Sequence, residues 1–309
     1  MSDGTCDGLP PGMLVSVIVP VYDTEQYVVE ALNSVIGQTH RDLEMIVVDD
    51  GSADRSVEAV TSVRDSRLRL LRQSNRGVAA ARNAGLADAH GEVAAFLDAD
   101  DAWKPTKLAE QLPRFDTADV AIVGSLLTYV GDSGRSIGTS GEIADHQQER
   151  IAAARLMPFA PSSMVVRTSV VREVGGFDED LARYIAPVDD LDLVSRVARH
   201  YRVVTVPKSL GYYRVHTESA SSAKFRAMQR ATRYLQARSG NPDLAWETWD
   251  ASTHDSFMVR TSERARFLYR LAGMRIACGD SLRGLAALAA AIALAPTYSI
   301  PRLKRQLSR

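Results

Sequence analysis

The chain has 309 residues, of which 45% are apolar and 24% charged, and its formal net charge at pH 7 is −1. This composition is typical of a globular protein with one large domain or two smaller ones. The balanced charge gives no electrostatic reason to expect binding to nucleic acid or to an anionic membrane surface.

Neither a signal peptide nor a membrane span is predicted. Residues 1–13 lack the basic and apolar regions of a signal peptide and are predicted to be a disordered tail. The most apolar stretch, residues 285–295, is too short to span a bilayer. The two cysteines, Cys6 and Cys278, are too far apart to suggest a disulfide framework or a metal-ligand motif. We therefore expect a soluble, cytoplasmic protein.

The first half of the chain alternates strand-like and helix-like segments. Apolar runs rich in β-branched residues predict strands, and apolar residues at every third or fourth position predict helices. The predicted strands are 14–22, 43–50, 67–71, 92–100 and 118–125, and the predicted helices are 25–38, 54–63 and 78–90. This alternation favours an α/β domain with a mostly parallel sheet flanked by helices.

The second half is less regular. Residues 131–148 are rich in Gly, Ser and charge and predict a mobile loop. Further on, the patterns predict a strand at 162–167, a turn at 175–180, a helix from Val188 to Tyr201 and a short strand at 201–207. From about residue 223 to the end the pattern is helical, and its last two helices, 263–277 and 281–295, are compatible with a helical hairpin.

Acidic residues follow three of the predicted parallel strands, at the edge where ligands bind in such sheets. In "LDAD", Asp98 and Asp100 are two residues apart, so an extended backbone turns both carboxylates to one face. Two carboxylates in a crevice suit Mg²⁺ or Mn²⁺. A strand that ends in a solvated acidic turn, with Asp101 capping the next helix, is the alternative.

Two further positions have both a structural and a functional interpretation. Asp49 and Asp50 end the second strand, and one of the two should face the cleft, where a carboxylate could accept a hydrogen bond from a nucleobase, while the following residues could simply cap a helix. Arg82 lies within an alanine-rich helix and is either a surface charge or a cation for a diphosphate. The residues alone leave both alternatives open.

The helix predicted after Pro187 contains three acids in its first turns, which complement the helix dipole. Helical periodicity places Asp190 on the inward stripe with Val194 and Val197, and it places Asp189 on the solvated side with Arg196. An acid on the buried side of a helix end faces either a cleft or a polar partner, and in a cleft its pKa is raised toward the range of a general base. Asp190 is therefore the predicted catalytic residue.

Six segments occur in an informative order. They are "VSVIVPVYDTEQYVVEALNSVIGQT", "EMIVVDDGSAD", "NRGVAAARNAGLADAHGEVAAFLDADD", "GGFDED", "DDLDLVSRVA" and "YYRVHTESAS". Together they resemble the family 2 glycosyltransferases of the GT-A fold over residues 14–222. The resemblance implies a Rossmann-like domain that transfers a sugar from a nucleotide-diphosphate donor, with inversion and with Mg²⁺ or Mn²⁺ at the DXD motif. Residues 223–309 would form a C-terminal helical region.

The resemblance also assigns roles to individual residues. It implies that Tyr22 stacks on the base, that Asp50 accepts its N–H, that Asp190 is the base and that Asp100 and His216 bind the metal. The implied donor-binding residues are Pro20, Val21, Tyr22, Asp23, Asp50, Asn75, Gly77, Arg82, Asp98 and Ala99. One position departs from the family pattern, because Asp189 stands where the family has Glu.

Other functions remain open at this stage. A dehydrogenase is not predicted, because "VPVYDTEQ" lacks the glycine-rich turn of dinucleotide-binding proteins. A sugar-1-phosphate nucleotidyltransferase and a non-catalytic nucleotide-sugar-binding scaffold are the two alternatives. The donor is expected to be a UDP- or TDP-sugar, the acceptor is a small molecule, a glycan or a peptide, and the C-terminal helices are a candidate homodimer contact.

Overall fold

The computed structural model of the chain describes residues 12–131, 136–215, 225–249 and 281–296, together with residues 264–265, 268–269, 272, 275, 299–300 and 303. The predicted tail and the predicted helix at 263–277 fall largely outside these residues. Clustering of contacts divides the chain into two compact units. The first comprises Met1–Leu127, Ser140–Tyr184 and Asp189–Tyr213, and the second comprises Thr128–Thr139, Ile185–Val188 and Arg214–Arg309. The boundary predicted at residues 222 and 223 remains a prediction.

Strands and helices alternate through the first half of the chain, as the sequence predicts. The strands are β1 (Val15–Val21), β2 (Leu43–Asp49), β3 (Leu68–Arg72), β4 (Val93–Phe96), β5 (Ala102–Trp103), β6 (Val120–Val130), β7 (Ser136–Ser140), β8 (Val165–Arg167) and β9 (Arg202–Arg214). The α-helices are α1 (Val28–Ile36), α2 (Ser56–Ser62), α3 (Val78–Asp88), α4 (Lys107–Gln111), α5 (Gln148–Ala152), α6 (Thr168–Glu173), α7 (Asp189–Val197), α8 (Phe225–Gly240) and α9 (Ser281–Leu294).

These strands form one sheet in the order β3-β2-β1-β4-β8-β6-β9-β5, and β7 pairs with β6. The first four strands in this order, β3, β2, β1 and β4, are parallel. Val21 of β1 lies opposite Asp49 of β2, and Ile18 of β1 lies opposite Phe96 of β4. The pairings of β8 with β4 and β6, and of β5 with β9, are antiparallel. The carboxyl ends of β1, β2 and β4 therefore lie side by side at one edge.

The second half of the sheet differs from the sequence-based prediction in detail. Residues 136–140, expected to be part of a mobile loop, form β7, and β9 continues to Arg214, seven residues past the predicted strand end at residue 207. The Gly- and Ser-rich composition around β7 hid this strand, because edge pairing depends on a partner rather than on local apolar residues. Residues 132–135 lie outside the described part of the chain.

Both faces of the sheet are covered by helices. Alternate residues of β1 point to opposite sides, so that Val17 and Val19 join a cluster with α1 and α2. Ile18 joins the other cluster, which contains residues of α3, α6 and α7. No helix in the described residues is long and apolar enough to cross a membrane.

Helix α3 approaches β1 unusually closely because its packing face consists of small residues. Ala79, Ala80 and Ala81 are buried, and a Cβ placed on Gly85 would lie 2.5 Å from Cγ2 of Ile18. Only glycine fits at this position without displacing the Ile18 side chain. The close approach determines how far the longer side chains of α3 reach toward the edge of the sheet.

The Gly85→Ala substitution should therefore destabilise the protein. Overpacking a core costs roughly 1–3 kcal/mol, and a gain of about 1 kcal/mol in helix propensity offsets part of it, so the free energy of unfolding should fall by about 1 kcal/mol. Urea denaturation measures the change. Gly240→Ala is the matched control, because a Cβ there meets nothing within 4 Å. Equal stability of the two variants would contradict the packing argument.

Candidate active site at the carboxyl ends of the parallel strands

The sheet brings three acidic strand ends to a single edge. Pro20 and Val21 are the last residues of β1, and the backbone N–H of Asp50 donates to the carbonyl of Val21 over 2.8 Å. Asp98 and Asp100 follow β4, the neighbour of β1 on its other side. The predicted convergence of these groups follows directly from the parallel register.

The loop after β1 is fastened to the start of α2. Asp23 has a left-handed backbone conformation, with φ of 49°, and its carboxylate accepts the N–H groups of Ala53 and Asp54 over 2.8 and 3.3 Å. In return, Asp54 accepts the N–H of Glu25 over 3.0 Å. These contacts hold the adjacent Tyr22, whose side chain remains 49% exposed. An exposed, anchored aromatic ring can stack on a planar ligand.

Asp50 organises the segment that leads into α3. Its buried carboxylate accepts the backbone N–H groups of Arg76 and Gly77 and the side-chain amide of Gln73, each over 2.8 Å. Gly77 takes a φ of 92° just before the helix, and Asn75 on the same segment is exposed. An ionised carboxylate has about four lone-pair sites. One of these sites on Asp50 thus remains for a further donor.

Arg82 does not have a surface position, contrary to one of its sequence-based interpretations. Its side chain is only 5% exposed, and it donates from Nη1 to Asp189 over 2.9 Å and from Nη2 to Asp98 over 2.7 Å. Its Cζ lies 5.4 Å from the ring centroid of Phe177. The two carboxylates raise the pKa of Arg82 against the opposing effect of burial, so the guanidinium stays charged.

The start of α7 reverses the predicted exposure of its first two acids, because Asp189 is buried and Asp190 is partly exposed. Asp189, expected on the solvated side, is buried against Arg82, because a cation from a distant segment supplies a charge that apolar periodicity cannot reveal. Asp190 keeps part of its surface exposed, and its Oδ1 accepts the N–H of Leu191 over 2.7 Å. Burial and then the neighbouring Asp189 raise the pKa of Asp190 to about 7. That value suits a general base near neutral pH.

The groups suited to a metal are the carboxylates of the DXD motif. Asp98 and Asp100 flank the buried Ala99, and both retain some exposure. The backbone turns at residues 99–100, where the N–H of Asp101 donates to the carbonyl of Asp98 over 3.0 Å, so the extended geometry expected for this motif does not persist. The described residues contain no cluster of three or more His, Cys, Asp or Glu side chains able to hold a metal. Magnesium and manganese commonly complete their shell with phosphate oxygens and water, which fits a two-carboxylate site. The predicted ligand His216 lies outside the described residues.

Several supporting residues were not predicted from the sequence. Asn83 pairs with the backbone of Phe177 in both directions, over 2.9 Å each, and thereby fixes the ring beside Arg82. Ser162 accepts the N–H of Asp98 over 3.1 Å. The "GGFDED" turn that contains Phe177 was visible as a turn, but nothing in it indicated a contact with α3.

Sequence comparison identifies the family. The protein-family model described as Glycosyl transferase family 2 matches residues 16–175, slightly more than half of the chain. The chain belongs to this family. An uncharacterized glycosyltransferase of a Nostoc species, alr2836, is 35% identical over 213 residues, which are 66% of this chain and 65% of that protein. The match to an uncharacterized glycosyltransferase of Rickettsia felis covers only 16% of the relative, so the chain spans less than two thirds of both relatives' length.

More distant relatives carry more informative names. The Escherichia coli protein WfaP, named as a UDP-Glc:alpha-D-GlcNAc-diphosphoundecaprenol beta-1,3-glucosyltransferase, is 27% identical over 72% of this chain and 86% of its own length. The mannosyltransferase PcManGT of Pyrobaculum calidifontis, solved with GDP-Man and Mn²⁺, has a TM-score of 0.59 at 20% identity, over 98% of this chain and 85% of that one. Residues 1–349 of TarS from S. aureus, solved with UDP-GlcNAc, have a TM-score of 0.57 at 20% identity, over 95% of this chain and 93% of that one.

These comparisons confirm the family resemblance and the GT-A fold that the sequence predicts. The identities to the solved structures are low, so the structural likeness establishes the fold and not the ligand. The roles of the individual site residues remain predictions.

The three contacts of Asp50 lead to a stability prediction. Asp50→Asn places an amide against N–H donors and should lower the free energy of unfolding by about 2 kcal/mol. The amide protons of Arg76 and Gly77 should exchange faster with solvent, which hydrogen exchange measures. Asp49→Asn is the control, since this buried neighbour accepts over longer distances, 3.1 Å from the N–H of Ser52 and 3.4 Å from Arg72. Unchanged protection in Asp50→Asn would contradict this account.

Proposed function

We propose that the protein is an inverting glycosyltransferase that moves a sugar from a UDP- or TDP-sugar to an acceptor nucleophile. The observation that carries the proposal is the convergence, at one sheet edge, of an anchored exposed aromatic ring, the DXD carboxylates and their neighbouring base candidate. Asp98 and Asp190 are linked to one another through Arg82 and Asp189, the residue before Asp190. Family membership supports the reaction class.

The nucleotide is proposed to bind at the ends of β1 and β2. Tyr22 offers an exposed ring for stacking on the base, and Asp50 offers its remaining lone pair to the ring N–H that uracil and thymine share. Pro20, Val21 and Asp23 shape the same pocket through the backbone at the end of β1. Asn75 and Gly77 border it on the segment that leads into α3.

The diphosphate is proposed to lie beside the DXD motif. Asp98 and Asp100, with His216 as a further candidate, would hold Mg²⁺ or Mn²⁺. A bound divalent cation there would neutralise the negative charge that develops on the departing diphosphate. Ala99 between the two carboxylates is buried, and the acids on either side of it are partly exposed.

Asp190 is proposed as the general base. Its carboxylate takes the proton of the acceptor as the acceptor's nucleophilic atom bonds to the anomeric carbon of the sugar. The bond from that carbon to the diphosphate oxygen breaks in the same step, and the nucleotide diphosphate leaves. A single displacement of this kind inverts the anomeric configuration.

Other parts of the proposal concern the whole chain. Residues 14–222 form the catalytic domain, and residues 223–309 form a helical region through which two copies associate. The acceptor is a small molecule, a glycan or a peptide, and the second half of the domain recognises it. The protein acts in the cytoplasm, where nucleotide sugars are available.

The first test is calorimetric titration with UDP, TDP and GDP, each with and without Mn²⁺. The proposal expects UDP or TDP to bind with metal dependence and expects Asp100→Ala to lose that dependence. Asp116→Ala, an exposed acid outside the site, is the control variant. Tight binding of GDP alone would replace the proposed donor class, and no metal-dependent binding of any nucleotide would refute the proposed function.

The second test is the pH profile of turnover with the donor so identified. The base must be ionised, and the pKa of Asp190 is raised to about 7. Activity (kcat/KM) should therefore be constant above about pH 7 and fall about tenfold per pH unit below it. Asp190→Asn should remove nearly all turnover while nucleotide affinity stays within about threefold. A profile that is flat from pH 5 to 8 would contradict the role of Asp190.

A further inference from the structure

We propose that Arg82 is a positioning residue, whose guanidinium sets the distance between the DXD motif and the helix start that bears the base by bridging Asp98 and Asp189. This inference rests on the proposed function and deepens it. The sequence placed Arg82 beside the ribose or phosphates of the donor. Its contacts instead join two protein carboxylates that are 91 residues apart in the chain.

The geometry of the bridge leaves little room for direct contact with a ligand. Both terminal nitrogens of Arg82 already donate to carboxylates, over 2.7 and 2.9 Å, and its side chain is 5% exposed. The Nε–H group has no hydrogen-bond partner among the described residues and is itself shielded from solvent. Two of the five guanidinium N–H groups are thus taken by protein carboxylates, and the remaining three belong to a side chain with little exposed surface.

The bridge is itself held rigidly. Arg82 extends from α3, which lies close against β1 because of Gly85, and the guanidinium lies near the ring of Phe177. Asn83, the next residue along, fixes the backbone of Phe177 with two hydrogen bonds. Because the guanidinium is confined in this way, it fixes the positions of the two carboxylates that it binds relative to the sheet.

The bridge acts on Asp190 and Asp100, which follow the bridged carboxylates by one and two positions. Asp189 directly precedes Asp190 at the first turn of α7, and Asp98 directly precedes Ala99 and Asp100 after β4. A shift of about 1 Å between reacting groups can lower a rate about 100-fold. A lysine at position 82 would keep the charge but could not bind both carboxylates with a planar fork.

The test compares Arg82→Lys, Asp189→Asn and Asp189→Glu with the wild type. Turnover (kcat) should fall about 100-fold in the first two, while the Kd for UDP with Mn²⁺ stays within about threefold. Asp189→Glu retains the carboxylate and should keep kcat within about tenfold of the wild type. Because the two changes break one bridge, the double variant Arg82→Lys with Asp189→Asn should lose no more than either single variant.

Arg196→Gln provides the matched control. Arg196 is on the same helix, pairs with Asp192 over 2.8 Å and donates to the carbonyl of Gly176, but it does not contact the bridge. Loss of the Arg196 contacts should lower the melting temperature of the protein and leave kcat within about threefold of the wild-type value. Near-ultraviolet circular dichroism verifies the fold of each variant, and Asp189→Asn serves if Arg82→Lys fails to fold.

The possible outcomes distinguish a failure of this inference from a failure of the proposed function. A loss of UDP affinity of tenfold or more in Arg82→Lys with kcat unchanged would identify Arg82 as a donor ligand and overturn the inference. Full turnover in Arg82→Lys and Asp189→Asn, or an equal loss in Arg196→Gln, would also overturn it, although the active wild type would leave the proposed function intact. A wild type that binds neither UDP nor TDP, and releases neither from a sugar donor, would refute both the inference and the proposed function.

Discussion

A guanidinium buried in a protein needs carboxylates beside it, because removing a charge from water costs several kcal/mol that only close partners recover. Arg82 meets this requirement with Asp98 from the end of β4 and Asp189 from the start of α7. The ion pairs therefore connect the sheet, the helix on its face and the loop that follows β4. Loss of Arg82 would leave the buried Asp189 carboxylate without its cation, and the three elements are consequently constrained together.

The charges around Arg82 also explain the raised pKa of Asp190. Asp98, Asp189 and Asp190 are three carboxylates around a single guanidinium. Burial raises the pKa of Asp190 most, the charge of Asp189 raises it further, and Arg82 lowers it only in part. A surplus of negative charge at this edge is also what a divalent cation requires. The excess of carboxylates over cations at this edge thus raises the pKa of the proposed base and also favours binding of the proposed metal ion.

The proposed nucleotide-binding residues and the proposed base are connected through α3. Asp50 binds the backbone of Arg76 and Gly77 just before α3 begins, and the second turn of that helix carries Arg82. A displacement of the segment at residues 73–77 would be transmitted along α3 to the bridge. The occupied lone pairs of Asp50 give this residue a structural role in addition to its proposed contact with the base.

Much of the architecture could be predicted from the sequence, because it depends on local pattern. Apolar runs identified β1, β2 and β4, and parallel pairing then required their acidic ends to meet at one edge. Strand β7 was missed, since it is defined by its pairing with β6 and not by its own residues. The family motifs also fixed the order of the elements through residue 222.

The sequence by itself determined the α/β fold, the family and the set of acids that a nucleotide-dependent transferase would use. Only the tertiary structure decided which of these acids are buried, paired or available. Periodicity assigned Asp189 to solvent, and the sequence left Arg82 open between a surface charge and a diphosphate-binding cation. The ion pair between the two residues shows that both side chains are buried. The reason is physical: periodicity describes a helix face, whereas the burial of a charge depends on partners that the fold brings from over 100 residues away.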